Sequence, residues 1–303
     1  MRRSAFTMLE LVMVIVILGI VASIGADIIA KLYEDYIRTR AINRLQTQTE
    51  IVLEEIARRL QFRIKDSTIS RDKTTYSDYV SLADSNGSYE ILEWIGKDNE
   101  GFRGEYNGSV NRPGWSGFID LDSPETNKSA RTIKTPGSDL NITNDIIKAL
   151  SYGEVDMLDD TKEKPAIILK GLTDYNLSLY GWDGVDGNYT IKVKFNLAKP
   201  DVLELNDTQI PDDLFEQYDF SWSAYAIVPE GNNSNDFNLT LYYNYRPWED
   251  EKYTDGNKTL LMENVSTFKF IQIGDTVRIK ICIHDNNRSG NYDFAFCKEK
   301  VIY

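Results

Sequence analysis

The chain reads as an α+β protein: a long N-terminal hydrophobic then amphipathic α-helix, packed on an antiparallel β-sheet head. Three observations lead there. Residues 11–26 carry no charge. Residues 28–64 hold neither Pro nor Gly and repeat apolar side chains at helical spacing. In the C-terminal half, apolar and polar residues alternate over several segments of strand length.

The apolar run comes first. With Phe6 to Leu9 it reaches about 20 residues, enough to span a hydrocarbon core of roughly 30 Å as a helix. Arg2 and Arg3 precede it, so the short N-terminal end stays cytoplasmic and the bulk is exported. A secretory signal would end in a small-residue cleavage site. Here the run passes directly into a polar helical pattern at Asp27 and Lys31. Glu10 is the anomaly, because a carboxylate at the bilayer centre costs about 3 kcal/mol and calls for a partner.

The stalk follows. Ile28, Leu32, Ile42, Leu45, Val52, Leu53, Ile56 and Leu60 form the apolar stripe of an amphipathic helix. Glu34, Asp35, Arg38, Arg40, Glu54, Glu55, Arg58 and Arg59 form its charged face. A coiled-coil spacer is the competing reading.

The head begins near residue 67. Alternation over Tyr189–Leu197, Phe237–Tyr245 and Val277–Ile283 predicts strands with one buried and one wet face. Val265–Ile273 and Thr276–Ile283, joined at Gly274-Asp275, read as a hairpin. Residues 97–165 read as a loop-rich insertion, with Pro113, Pro124, Pro136 and Pro165 and a short helix near Thr143–Leu150. The expected organisation is a transmembrane helix at 6–26, a stalk at 27–66 and a head at 67–303, with an uncleaved signal anchor as the plain reading of the N-terminus.

The segment Ala5-Phe6-Thr7-Met8-Leu9-Glu10 with its apolar run resembles the class III leader of type IV pilins and type II secretion pseudopilins. The resemblance implies a leader at 1–5, prepilin peptidase cleavage between Ala5 and Phe6 and N-methylation of Phe6. It makes Glu10 the assembly glutamate, pairing with the amine of a neighbouring subunit. Ala5 stands where the family usually has Gly, and Asp27 where many members have Pro. The C-terminal strand order and the stalk end Ile56-Ala57-Arg58-Arg59-Leu60 resemble J-type minor pseudopilins and W-type minor pilins. Implied partners are other minor subunits, the major subunit, the prepilin peptidase, the inner-membrane assembly platform and the inner membrane itself. The implied location is the bacterial inner membrane, single-pass, with the head in the periplasm or in an assembled filament.

Cys282 and Cys297 are the only cysteines. Export places them in an oxidising compartment, where pairing is expected. The net charge of −13 becomes −15 once Arg2 and Arg3 leave with the leader. Such a surface repels phosphate backbones and disfavours nucleic acid as a partner. No cofactor is expected. Asp285-Asn286-Asn287-Arg288-Ser289-Gly290-Asn291-Tyr292-Asp293 partly matches a calcium loop, but Phe296 occupies the twelfth place. Asp183–Asn188 is a weaker match, and polar turns are the competing reading of both.

Twelve Asn-x-Ser/Thr sequons occur, and eleven carry an acid two residues before the Asn. They are Asn86, Asn107, Asn127, Asn141, Asn176, Asn188, Asn206, Asn232, Asn238, Asn257 and Asn287; Asn264 lacks the acid. With 47 acids in 303 residues, chance supplies about two. The pattern resembles the acceptor sequence of the bacterial periplasmic oligosaccharyltransferase, which implies N-glycosylation at these positions. An Asn- and Asp-rich secreted surface is the competing reading.

A single histidine, His284, supplies no triad, and no catalytic residue is identified. The expected function is structural: a minor pilin or pseudopilin that initiates or caps a filament. The alternative is a tip adhesin or DNA-uptake subunit, whose insertion and many Tyr and Trp residues hold an external ligand.

Overall fold

The computed structural model describes residues 7–106, 108–171, 176–184, 189–206, 213–284 and 295–303, without the side chain of Asn232. The fold is α+β, as expected. Helix α1 (Met8–Leu60) is one continuous element of 53 residues, about 80 Å long. It joins the expected membrane and stalk segments without a break at Asp27. Nothing in this run stops a helix, and Gly19 and Gly25 only lower its propensity. Arg58 and Arg59 lie in the last turn, where cations face the partial negative charge of the helix end. The stop at Leu60 is tertiary rather than a glycine cap. Ile64 N–H donates to the Ile95 carbonyl (2.9 Å) and Lys97 N–H to the Phe62 carbonyl (2.7 Å), so a neighbouring strand captures the chain as it leaves the helix. The helix therefore ends short of residue 66.

Strands β1 (Ile69–Arg71), β2 (Tyr79–Ser81) and β3 (Ile91–Gly96) follow. Next come α2 (Asn99–Arg103), β4 (Glu105–Tyr106), β5 (Asn111–Arg112), β6 (Thr132–Lys134) and α3 (Leu140–Leu150). Then come β7 (Ala166–Leu169), β8 (Thr190–Asn196), β9 (Lys199–Leu205) and β10 (Tyr218–Ser221). The chain ends with β11 (Ser223–Asn233), β12 (Asp236–Tyr245), β13 (Asn257–Ile273), β14 (Thr276–His284) and β15 (Ala295–Ile302).

The main sheet has eight antiparallel strands in the order β15-β14-β13-β12-β11-β3-β1-β2. The expected hairpin is present: Ile273 pairs with Thr276 across Gly274-Asp275, and Gly274 takes the positive φ (+59°) that the turn requires. Alternation sends Val277, Ile279, Ile281 and Ile283 of β14 toward α1, where they meet Leu45, Val52, Leu53, Ile56 and Leu60. Each such side chain, fully buried, contributes roughly 1.5–3 kcal/mol.

A second sheet, β10-β7-β8-β9-β6, covers the opposite face of the main sheet near β3 and β11. Trp182, Tyr189 and Trp248 fill the gap with Ile91, Ala224 and Tyr245. The far side of the second sheet packs on α3 through Leu140 and Ile147. This layer is built by residues 97–222, between β3 and β11, and extends well past the loop-rich stretch set at 97–165. The segment Tyr189–Leu197 belongs here as β8 rather than in the main sheet.

Two buried acids mark the junction of the layers. Arg71 of β1 and Glu93 of β3 form an ion pair with neither side chain exposed. The Tyr245 hydroxyl donates to the other Glu93 oxygen at 3.1 Å. Burial pushes the Glu93 carboxyl up, and the Arg71 charge only partly offsets this. Asp98 caps α2, accepting from Gly101 N–H at 3.0 Å and from the Trp115 indole at 3.1 Å. Burial pushes its carboxyl up to about 7. A raised acid makes the folded state bind more protons than the unfolded chain between pH 4 and 7, so stability falls as pH rises through that window. Asp98→Asn forfeits one of the two side-chain hydrogen bonds, a constant offset that leaves the slope argument intact. The expected result in urea melts is that wild type loses about 2 kcal/mol relative to Asp98→Asn between pH 5 and pH 8. Parallel pH profiles would rule out a titrating Asp98.

Candidate assembly and modification surface

Among the described residues, the membrane-type part of α1 packs against nothing else. Leu11, Ile15, Leu18, Ile28, Leu32 and Tyr36 are all more than half exposed, and none of the most apolar window is buried. Burial begins at Leu45. Residues 8–44 therefore project about 55 Å from the head. The helix is long and apolar enough to cross a membrane.

At its start, Glu10 is not left without a partner. Its carboxylate accepts from Thr7 N–H (3.0 Å) and the Thr7 hydroxyl (2.9 Å), while Glu10 N–H donates to the Thr7 hydroxyl oxygen (3.4 Å). This capping box satisfies two N–H groups of the first turn. The partner that the Glu10 carboxylate calls for is thus a neutral neighbour, Thr7, which the sequence analysis did not name. The pattern Thr-x-x-Glu would have revealed it. The Ala5–Phe6 cleavage site and the Phe6 methylation site lie outside the described residues.

The stalk end docks through charge as well as apolar contact. Glu50 pairs with Lys298 at 3.0 Å, and Glu54 pairs with Lys300, so β15 is stitched along the last third of α1. The sequence reading placed Glu54 on the charged face but gave it no role, and Glu50 went unremarked. Ile51 is 63% exposed on the outward side of the same segment. Cys282 and Cys297 form a disulfide, as expected. They are directly opposed on β14 and β15 and tie the edge strand to the sheet.

The sequons fall into distinct environments. Asn86, Asn127, Asn176, Asn206 and Asn238 are exposed, whereas Asn141 and Asn257 are half-buried. Asn107, Asn188 and Asn287 lie outside the described residues, as does the Asn232 side chain. Asn86 and Asn176 sit in turns where the Ser two residues on donates to the Asn oxygen through both N–H and hydroxyl. Asn127 accepts from Ser129 N–H and Ala130 N–H. By contrast, Thr143 after Asn141 lies inside α3 and Thr240 after Asn238 lies within β12, both buried. A bulky glycan needs accessible backbone, so Asn86, Asn127 and Asn176 fit modification of the folded chain, and Asn141 and Asn238 do not.

Several of the preceding acids also serve the fold. Glu125 pairs with Lys134 (2.8 Å) and Lys199 (2.9 Å), and the hydrogen bond from Lys134 leads in drawing its carboxyl down to about 2. Asp139 pairs with Arg112 at 3.1 Å, and Glu230 accepts from the Thr240 and Tyr242 hydroxyls.

The calcium-like stretch 285–293 lies outside the described residues, and so does most of Asp183–Asn188. Among the described residues no group of three or more His, Cys, Asp or Glu could hold a metal ion. All five tryptophans are buried, so they are core residues and offer no surface to an external ligand. Family models, curated proteins and solved structures compared with the chain give no match.

Proposed function

We propose that this protein is a single-pass, membrane-anchored subunit of a pilus-like filament, of the minor pilin or pseudopilin kind, with its head exported. One observation carries the reading: α1 docks its last third on the head and leaves its first 37 residues, mostly apolar, uncovered. A bilayer and the helices of neighbouring subunits are the two environments that cover such a rod. The leader-like segment from Ala5 to Glu10 supports the same reading and assigns processing to a prepilin peptidase. The sequon pattern adds an oligosaccharyltransferase to its partners. Assembly would then use Glu10, released from Thr7 and paired with the Phe6 amine of an adjacent subunit.

The test is Glu10→Ala in the native host, read as the amount of protein in sheared filaments against membranes. Expected is at least a tenfold loss from the filament fraction with unchanged membrane level and an intact disulfide; losing the one charge-assisted Glu10–amine contact, worth about 1.5 kcal/mol or more, suffices for that. Unchanged incorporation would contradict the assembly role. A second reading, a subunit that binds an external ligand, has one observation in its favour: a cleft where α1 ends, remote from the anchor.

A further inference from the structure

That cleft, of about 580 Å³, opens where the end of α1, β3 and the second sheet meet. Its size suits a small organic ligand. Two features give it a chemical character.

The first is charge. Lys97 and Lys170 converge on the same oxygen of Asp219, at 2.8 and 3.1 Å. One carboxylate faces two ammonium groups, and each ammonium keeps donors to spare. Arg63 donates to two neutral carbonyls, those of Leu60 (2.9 Å) and Asp275 (2.7 Å). Its Nε is buried with no hydrogen-bond partner among the described residues. Lys65 pairs with Asp275 at 2.9 Å, and Asp66 is the remaining acid of the lining. Four cations thus stand against three carboxylates, in a chain whose net charge is −13.

The second feature is apolar. Phe62 and Phe102 line the cleft while more than a third exposed. Phe102 lies against Trp115, with ring centroids 5.0 Å apart, and beneath the Lys97 ammonium at 5.5 Å. A ring with an ammonium above it accommodates a flat ligand whose anionic end reaches the lysines.

We propose that the cleft binds a small aromatic carboxylate, with its ring against Phe62 and Phe102 and its carboxylate on the ammonium donors of Lys97 and Lys170 that Asp219 leaves open. The assignment rests on the cleft alone and stands or falls separately from the filament reading.

The test is a fluorine NMR titration of 4-(trifluoromethyl)benzoate into the full chain held in lipid discs, with empty discs as the partition reference. The neutral control is 4-(trifluoromethyl)benzyl alcohol. Expected is saturable binding with Kd on the order of 1 mM, weakened about tenfold by Lys97→Gln/Lys170→Gln and likewise for the neutral alcohol. If the double variant loses its near-ultraviolet circular dichroism, the exposed single changes Lys170→Gln and Phe102→Ala each carry the test, with a weakening of about threefold or more. Absence of saturation, equal affinity for the alcohol, or wild-type affinity in the folded variants would overturn the proposal.

Discussion

Arg71→Met is expected to destabilise the head by about 3–5 kcal/mol near neutral pH, because it leaves Glu93 buried without its countercharge. The guanidinium does more than pair with Glu93. It donates to the Tyr76 carbonyl and to the Trp182 carbonyl (3.3 Å), and it lies 3.9 Å over the Tyr76 ring. It therefore ties β1 and β3 of the main sheet to the layer that carries Trp182. With Arg71 gone, the Glu93 carboxyl stays neutral to higher pH, so the loss should shrink as pH falls. Arg71→Met/Glu93→Met removes both charges and should recover much of the loss, since a buried pair is often replaceable by apolar packing. Urea unfolding of the two variants beside wild type measures this. A single variant within 1 kcal/mol of wild type would show that water or another cation reaches Glu93.

The second large effect concerns the disulfide. Cys282→Ser/Cys297→Ser opens a loop with a sequence separation of 15, worth about 3 kcal/mol in the chain-entropy model. The consequence should be local as well as global. β15 is the edge of the main sheet, bonded to β14 on one side only. Without the disulfide it keeps that ladder and the ion pairs with Glu50 and Glu54, which as surface pairs are each worth up to about 1 kcal/mol. Hydrogen exchange should therefore rise first in Ala295–Ile302 and stay low in β12 and β13. Uniform exchange across the sheet would contradict an edge strand pinned mainly by the disulfide.

What the sequence reveals depends on how a residue earns its burial. α1 is legible because 53 residues without a strong breaker leave few alternatives. β14 is legible because mostly one face is buried, which produces alternation; β12 alternates in sequence, yet from Leu239 onward both of its faces are covered, so the wet face expected for it is absent there. β7 is not legible, because Ala166, Ile167, Ile168 and Leu169 are all buried and a two-sided strand shows no period. With β7 unread, residues 97–165 look like a loop insertion, when they are half of a second layer. The same applies to the tryptophans, whose number invites a ligand surface and whose positions make them core. Among the assembly residues, Glu10 stands out because a charge breaks an apolar run. The contributions of Thr7 and Glu50 depend on partners, one three positions away and one 248 positions away, and only the first has a local pattern. The sequons are fully legible as sequence, yet helix and strand context decides which of them the folded chain presents.

The decisive measurement is intact-mass and peptide mass spectrometry of the protein from native membranes. An exported filament subunit requires a chain that begins at N-methylated Phe6, holds the Cys282–Cys297 bond, and carries glycan at Asn86, Asn127 and Asn176 but not at Asn141 or Asn238. A chain that still begins at Met1, with no methylation and no glycan, would contradict it and leave a membrane-anchored domain outside any filament.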